Sequence, residues 1–357
     1  MTSTDDSGRT SRTTVTIKDV AAAAGVSPST VSHTFSGRRA ISESTRQRVL
    51  AAANKLGYVP NAHARQLRLG KSNMLGLVLR PRYAVAGTPD AAETFNRLSG
   101  AMATESLRRG LGLVHVPDIE GSGHDLPPMD GCIIAHPYEN DRTIDVLENA
   151  RIPYVLADPD PARPDIPWVV GVDYAVGVRT VLEAAKGKRG RHVVLLPGTE
   201  SNAWNIVAEQ TYRDWCADIA QEPEVTPLSE GASVEDVRAA VRAVIGRHEG
   251  AREGAHETER GGAVALVYGD SSATPAVLAE LEALGKRVPE DVGLATLTAT
   301  VHNRVAHSPV TGMDLGHEQL AQRAVALLVS RISGEPAPEK PRTVTPEVTV
   351  RASTRGY

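Results

Sequence analysis

Residues 16–37 read TIKDVAAAAGVSPSTVSHTFSG, and this stretch decides how the N-terminal end of the chain folds. Thr16 with Asp19 three residues on is a capping-box pattern, opening a helix that runs to about Ala24 with Val20 and Ala21 inward. Gly25 permits a sharp turn, because glycine adopts positive φ at little cost. Ser27 is an N-cap, and Pro28 suits the first helical position, where a missing N–H is harmless. A second helix therefore spans about Pro28–Phe35 and ends near Ser36-Gly37. A third starts at Ser42 and runs Glu43–Leu56, with Val49, Leu50, Ala53 and Leu56 on one face and Gly57 as its stop. Two short helices joined by a glycine turn make a helix-turn-helix, whose second helix is built to enter a DNA major groove. The outward side of that helix carries Ser29, Thr30 and His33, small and polar enough to approach base edges.

Charge agrees with this reading. Residues 1–71 hold eleven Lys/Arg against four Asp/Glu, a net of +7, whereas the rest holds 28 against 39, a net of −11. A basic head on an acidic body is the distribution that phosphate binding by one end requires. The total length of 357 residues calls for more than one core, and 41% apolar residues suffice to fill them. Cys132 and Cys216 match neither a zinc nor a redox spacing and read as buried small hydrophobes. The polar start MTSTDDSGRTSRTT has no apolar run behind its charges, and no stretch of apolar residues is long enough to span a bilayer, so a cytoplasmic protein with no membrane partner is expected.

The motifs Thr16-Ile17-Lys18-Asp19-Val20-Ala21, Ala24-Gly25-Val26-Ser27, Ser29-Thr30-Val31-Ser32, Thr45-Arg46, Gly57-Tyr58-Val59-Pro60-Asn61 and Ala64-Arg65-Gln66-Leu67 resemble the lactose/galactose repressor (LacI/GalR) family. The resemblance implies a near-palindromic operator bound by a homodimer. It implies base contacts from Pro28, Ser29 and His33, and mostly phosphate contacts from Ser27, Thr30, Ser32, Ser42 and Thr45. Thr16, Ser36 and Ala64 complete the DNA-facing set, and Asn61 and Arg65 belong to a hinge helix. The counterpart of Leu67 wedges between central base pairs from the minor groove. Hydroxyls and helix N-termini suit phosphate oxygens, and an imidazole can donate to guanine. The expected organisation is a tail at 1–13, a helix-turn-helix domain at 14–59, a hinge helix and linker at 60–72 and an effector-binding and dimerisation domain at 73–357.

From Asn73 onward short apolar strands alternate with helices, the pattern of parallel α/β sheets. Strands are expected at Leu75–Leu79, Gly112–Val116, Gly131–Ala135, Tyr154–Ala157, Val169–Val172, His192–Leu196, Ala263–Tyr268 and Val292–Leu297. Their number fits two doubly wound lobes around a cleft, as in the periplasmic-binding-protein-like body of the resembled family, where the chain would cross between lobes near Asp173, Asn303 and Glu335. Residues 247–262, RHEGAREGAHETERGG, are charged and glycine-rich and read as a flexible loop. Sugar-binding members hold their ligand with an arginine and an aspartate whose positions fall here on Ala208 and Thr298, and the Asn-Asp step of many members reads Gly269-Asp270; Asp158 is retained. The candidate effector set is His136, Asp158, Trp204, Asn205 and Thr298, with Tyr138 and Trp168 as packing residues that could also reach the cleft. The missing anchors leave open a second reading, a constitutive DNA binder whose body serves only for dimerisation.

Enzyme readings are weak. Gly269-Asp270-Ser271 with Asp314-Leu315-Gly316-His317 has the outline of a Gly-Asp-Ser esterase, but its serine block falls too late in the chain. No phosphate-binding or dinucleotide glycine motif is present, the eleven histidines are scattered, and neither a metal nor a cofactor is expected. No leucine-heptad extension follows Thr354, so a dimer is the default. Repression is the expected output, with activation as the alternative.

Overall fold

A computed structural model of the chain describes residues 15–36, 39–58, 71–79, 89–117, 126–188, 190–253, 263–300 and 309–355. It divides into a unit up to Ser72 and a unit from Asn73. The hinge residues Asn61, Ala64, Arg65 and Leu67 lie outside the described residues.

The first unit holds α1 (Ile17–Ala24), α2 (Pro28–Ser36) and α3 (Glu43–Leu56). At the start of α1 the Asp19 carboxylate accepts from the Thr16 N–H and from its hydroxyl, each at 2.7 Å, which pulls the Asp19 pKa below the usual carboxylate range. Ser27 Oγ accepts the Thr30 N–H at 3.1 Å, and Ser42 Oγ accepts that of Thr45 at 3.4 Å. Gly25 and Gly57 close α1 and α3 in the left-handed region at φ +62° and +64°. Val20, Ala21, Ala24, Val31, Val49, Ala52 and Ala53 form the core, with Phe35 and Tyr58 rings 5.8 Å apart at its margin. Leu50, expected inward, is 38% exposed, and Ala52 takes the inner place.

The second unit contains two sheets. The first has the order β10-β5-β4-β3-β1-β2, from β1 (Met74–Val78), β2 (Gly112–Val116), β3 (Gly131–Ala135), β4 (Tyr154–Ala157), β5 (Val169–Val172) and β10 (Arg342–Val344). All its pairings are parallel. The second has the order β11-β9-β8-β7-β6, from β6 (His192–Leu196), β7 (Val264–Tyr268), β8 (Val292–Thr296), β9 (Thr311–Asp314) and β11 (Glu347–Thr349), the last antiparallel to β9. Central strands such as β3 and β7 are buried throughout, as strands covered on both faces require. Helices α4 (Pro89–Arg108), α5 (Arg142–Asn149) and α10 (His317–Ile332) belong to the first lobe. Helices α6 (Tyr174–Lys186), α7 (Ala203–Asp218), α8 (Val234–Glu253) and α9 (Thr274–Ala283) belong to the second. A Cβ at Gly131 would lie 2.8 Å from Leu328 Cδ1, so glycine there lets α10 lie close on β3.

The chain passes between lobes at Asp173, at Leu315–Gly316 and at Thr345–Pro346. The second and third passes differ from those expected near Asn303 and Glu335. Residues 311–314 are still paired to β8 and β11 in the second sheet, and Arg342–Val344 are still paired to β5 in the first. The loop expected over residues 247–262 is also shorter at its start, because α8 continues through Glu253. Arg247 and His248 hold that part of the helix against Glu224 at 2.7 and 2.8 Å. Residues 254–262 lie outside the described residues.

Candidate DNA interface and ligand cleft

On the headpiece, Thr16, Ser27, Pro28, Ser29 and Ser42 are exposed, and Thr30, Ser32, His33 and Thr45 are half-buried. Ser27 Oγ lies 2.7 Å from Ser29 Oγ and 2.9 Å from Thr30 Oγ1, so one hydroxyl cluster sits over the first turn of α2. There the helix dipole favours an anion. A second hydroxyl pair, Ser42 with Thr45 at 2.9 Å, marks the start of α3 in the same way. His33 Nδ1 is enclosed without a hydrogen-bond partner among the described residues. Of Ser36 the structure gives the helical backbone only.

In the body a cleft of about 150 Å³ opens between the lobes at the carboxyl ends of β3, β6, β7 and β8. That is where parallel α/β sheets bind ligands. Phe95 and His136 line it from the first lobe, Tyr174 from the first pass, and Asn202, Trp204, Asn205, Glu230, Asp270 and Thr298 from the second. Among the described lining residues none is Lys or Arg.

The first lobe's contribution rests on Asp158, which is 1% exposed. Its Oδ2 meets His136 Nδ1 at 2.6 Å and accepts from the Tyr174 hydroxyl at 2.5 Å, while Oδ1 accepts the Val172 N–H at 3.3 Å. Both His136 and Asp158 have positive φ, +49° and +86°, a costly conformation for a residue with a side chain. The sheet holds them there: His136 N–H donates to Ala157 O and Asp158 N–H to Val170 O, each at 2.8 Å. Asp158 does not line the cleft itself. It sits behind His136 and Tyr174 and fixes how both face it.

The second lobe's groups are held equally firmly. Asn205 Nδ2 donates to Glu200 O at 2.9 Å and to Glu230 Oε1 at 2.6 Å. Glu230 also accepts the N–H of Thr199 and of Glu200. Thr298 Oγ1 accepts the Ser271 N–H at 3.0 Å and donates to Gly269 O at 3.2 Å. The Trp204 ring meets Tyr174 edge-on at 4.8 Å. The lobes touch at the mouth, where Glu139 N–H donates to Ser201 O and Ser201 Oγ to Glu139 Oε2, both at 2.8 Å. On the α4 side Arg97 donates to Asp314 at 2.9 Å and pairs with both oxygens of Glu318 at 2.8 Å, which raises the guanidinium pKa and lowers that of Glu318, while the Gly316 N–H and then Arg97 lower that of Asp314.

Residues 16–61 match the family described as bacterial regulatory proteins, lacI family, and residues 183–354 match the periplasmic binding protein-like domain. The HTH-type transcriptional repressor PurR of Mannheimia succiniciproducens is 26% identical over 367 residues, covering 95% of this chain and 98% of that protein. The lac repressor dimer bound to operator and the anti-inducer ONPF has a TM-score of 0.76 at 20% identity, over 95% of this chain and 99% of that one. The complex of the transcriptional regulator CelR with cellobiose has a TM-score of 0.64 at 23% identity, again over 95% and 99%. The chain carries a LacI-family helix-turn-helix domain joined to a periplasmic-binding-protein-like domain. It is a DNA-binding transcription regulator with the lac repressor fold, and the family is one of regulators, not enzymes.

The esterase outline dissolves accordingly. In this chain Ser271 is buried in a 3-10 turn that Asp270 caps through the Ser272 N–H at 2.9 Å, and Asp314 is taken by Arg97. Of the effector residues read from sequence, His136, Trp204, Asn205 and Thr298 line the cleft and Asp158 stands behind it. Trp168 is outside, packed with Arg331, whose guanidinium carbon is 5.3 Å from its ring. Tyr138 bridges to Asn202 at the lobe contact. Ala208 is buried inside α7. Glu230, Phe95 and Tyr174 escaped sequence reading, since each comes from a segment with no local binding pattern. Among the described residues no helix is long and apolar enough to cross a membrane.

Proposed function

We propose that the chain is a homodimeric repressor of a near-palindromic operator, and that a small molecule in the inter-lobe cleft sets its affinity for that DNA. The exposed hydroxyl cluster over the first turn of α2 carries this reading: it is a phosphate-binding helix start beside a polar groove-facing surface. Ser27, Thr30, Ser32, Ser42 and Thr45 hold the backbone, Pro28, Ser29 and His33 face base edges, and Thr16 and Ser36 complete the DNA-binding set. Asn61, Ala64, Arg65 and Leu67 enter the minor groove.

The cleft supports an uncharged or cationic polar ligand over an anion, because carboxylates and aromatic faces line it and no described lining residue is cationic. The CelR complex, which holds cellobiose in the same architecture, supports a neutral polyhydroxyl compound. The ligand acts by favouring one lobe arrangement, and its effect on the operator equals its differential affinity for the two arrangements.

The test is operator selection from random DNA, followed by binding titrations with a panel of neutral, cationic and anionic metabolites. A cleft ligand present at about a hundred times its Kd stabilises the body by about 2.7 kcal/mol and changes operator affinity. Failure to enrich any DNA sequence would overturn the proposal. One observation favours the second reading, a constitutive binder with a dimerising body: Glu230, Asn205 and Thr298 already have protein partners. In that case operator binding persists and no compound shifts the melting temperature.

A further inference from the structure

We propose that His192, Glu224 and His248 form a zinc-type divalent metal site in the second lobe, at the opposite end of β6 from the cleft. The three come from the first residue of β6, the loop before α8, and the C-terminal part of α8, and their donor atoms all lie within 4.8 Å of one another. His248 Nε2 is 2.8 Å from Glu224 Oε2, which a simple ion pair would explain. His192 Nε2 is not so explained. It stands 3.5 Å from the same oxygen, too far for a good hydrogen bond, and is enclosed without a hydrogen-bond partner among the described residues. Two imidazoles thus converge on one carboxylate oxygen, with ring centroids 5.1 Å apart.

A tetrahedral ion with bonds of about 2.0–2.2 Å keeps its ligand atoms roughly 3.3–3.5 Å apart, so small side-chain shifts would seat one among these three donors. Two imidazoles and one carboxylate suit zinc and leave a fourth position for water. The supporting shell is also present. Arg247 holds the other oxygen, Glu224 Oε1, through Nε at 3.0 Å and Nη2 at 2.7 Å, fixing which oxygen faces the histidines. The Glu224 backbone is pinned by Leu195 N–H and by the Tyr212 hydroxyl, each at 3.0 Å, and His192 N–H donates to Ala263 O. All three side chains are about a quarter exposed, open enough for an ion to enter. Far apart in sequence, they form no motif there. Bound metal would clip the start of β6 to the end of α8.

The test uses the full chain, stripped with chelator and titrated with Zn²⁺ by calorimetry and with Co²⁺ by visible absorption, beside His192→Gln and His248→Gln. One equivalent of zinc is expected per chain, with a tetrahedral Co²⁺ spectrum, at least a tenfold weaker affinity in each variant, and a zinc-dependent rise in melting temperature that both variants lack. Absence of stoichiometric binding to the parent chain would overturn the proposal. So would variants that bind zinc like the parent, or that lose equal stability with and without zinc, the outcome a plain ion pair predicts.

Discussion

Replacing His317 with leucine should flatten the acid limb of the body's stability curve. His317 opens α10 just after the second pass between lobes and is 5% exposed, with neither ring nitrogen hydrogen-bonded to the described residues. Burial, and then the positive charge of Arg97, hold its pKa down at about 4 against an ordinary 6.5. Between those values the unfolded chain takes up a proton that the folded chain refuses, so stability falls as pH falls. The contribution is whole above about pH 6.5 and is lost progressively as pH drops through about 4. The gap is worth about 3 kcal/mol in total, of which about 2 kcal/mol goes between about pH 7 and pH 5. Urea unfolding followed by tryptophan fluorescence measures this in the full chain, because Trp168, Trp204 and Trp215 all lie in the body and none in the headpiece. The parent chain should lose about 2 kcal/mol more than His317→Leu over that interval. Carboxylates common to both proteins cancel in the comparison. Parallel stability curves would show that His317 is not kept neutral by burial.

Gly57→Ala should destabilise the headpiece by about 1–2 kcal/mol in a circular-dichroism melt, from backbone strain alone. The residue sits at φ +64°, and an added Cβ would meet nothing within 4 Å, so an unchanged melt would contradict the left-handed cap. Asp158→Ala removes the acceptor of His136, Tyr174 and the Val172 N–H and should cost the body about 3 kcal/mol; a loss under about 1 kcal/mol would mean water replaces the carboxylate. Leu67→Ala should weaken specific operator binding at least tenfold, by analogy with apolar wedges that kink DNA, and leave non-specific binding and body fluorescence as they were. Equal operator affinity would refute the wedge. Operator affinity should drop on the order of 10³-fold between about 50 and 200 mM salt, and a flat titration would contradict the phosphate contacts.

Sequence alone determined the headpiece, because its signals are local. Thr16 with Asp19, Gly25, Ser27-Pro28, Ser42 and Gly57 each act within one helical turn, and the structure keeps all three helices at those boundaries. The strands β2 to β6 were equally legible as short apolar runs between turn residues. Tertiary structure alone decided where the chain changes lobes, because β9, β10 and β11 are three- and four-residue strands defined only by their partners. The same holds for the cleft. Trp204 and Thr298 could be guessed beside strand ends, but the role of Asp158 as a support for His136 and Tyr174, and the arrival of Glu230 beside Asn205, depend on contacts between distant segments. His192, Glu224 and His248 are the clearest case: scattered residues with no spacing to mark them, brought together by the packing of α8 along the second sheet.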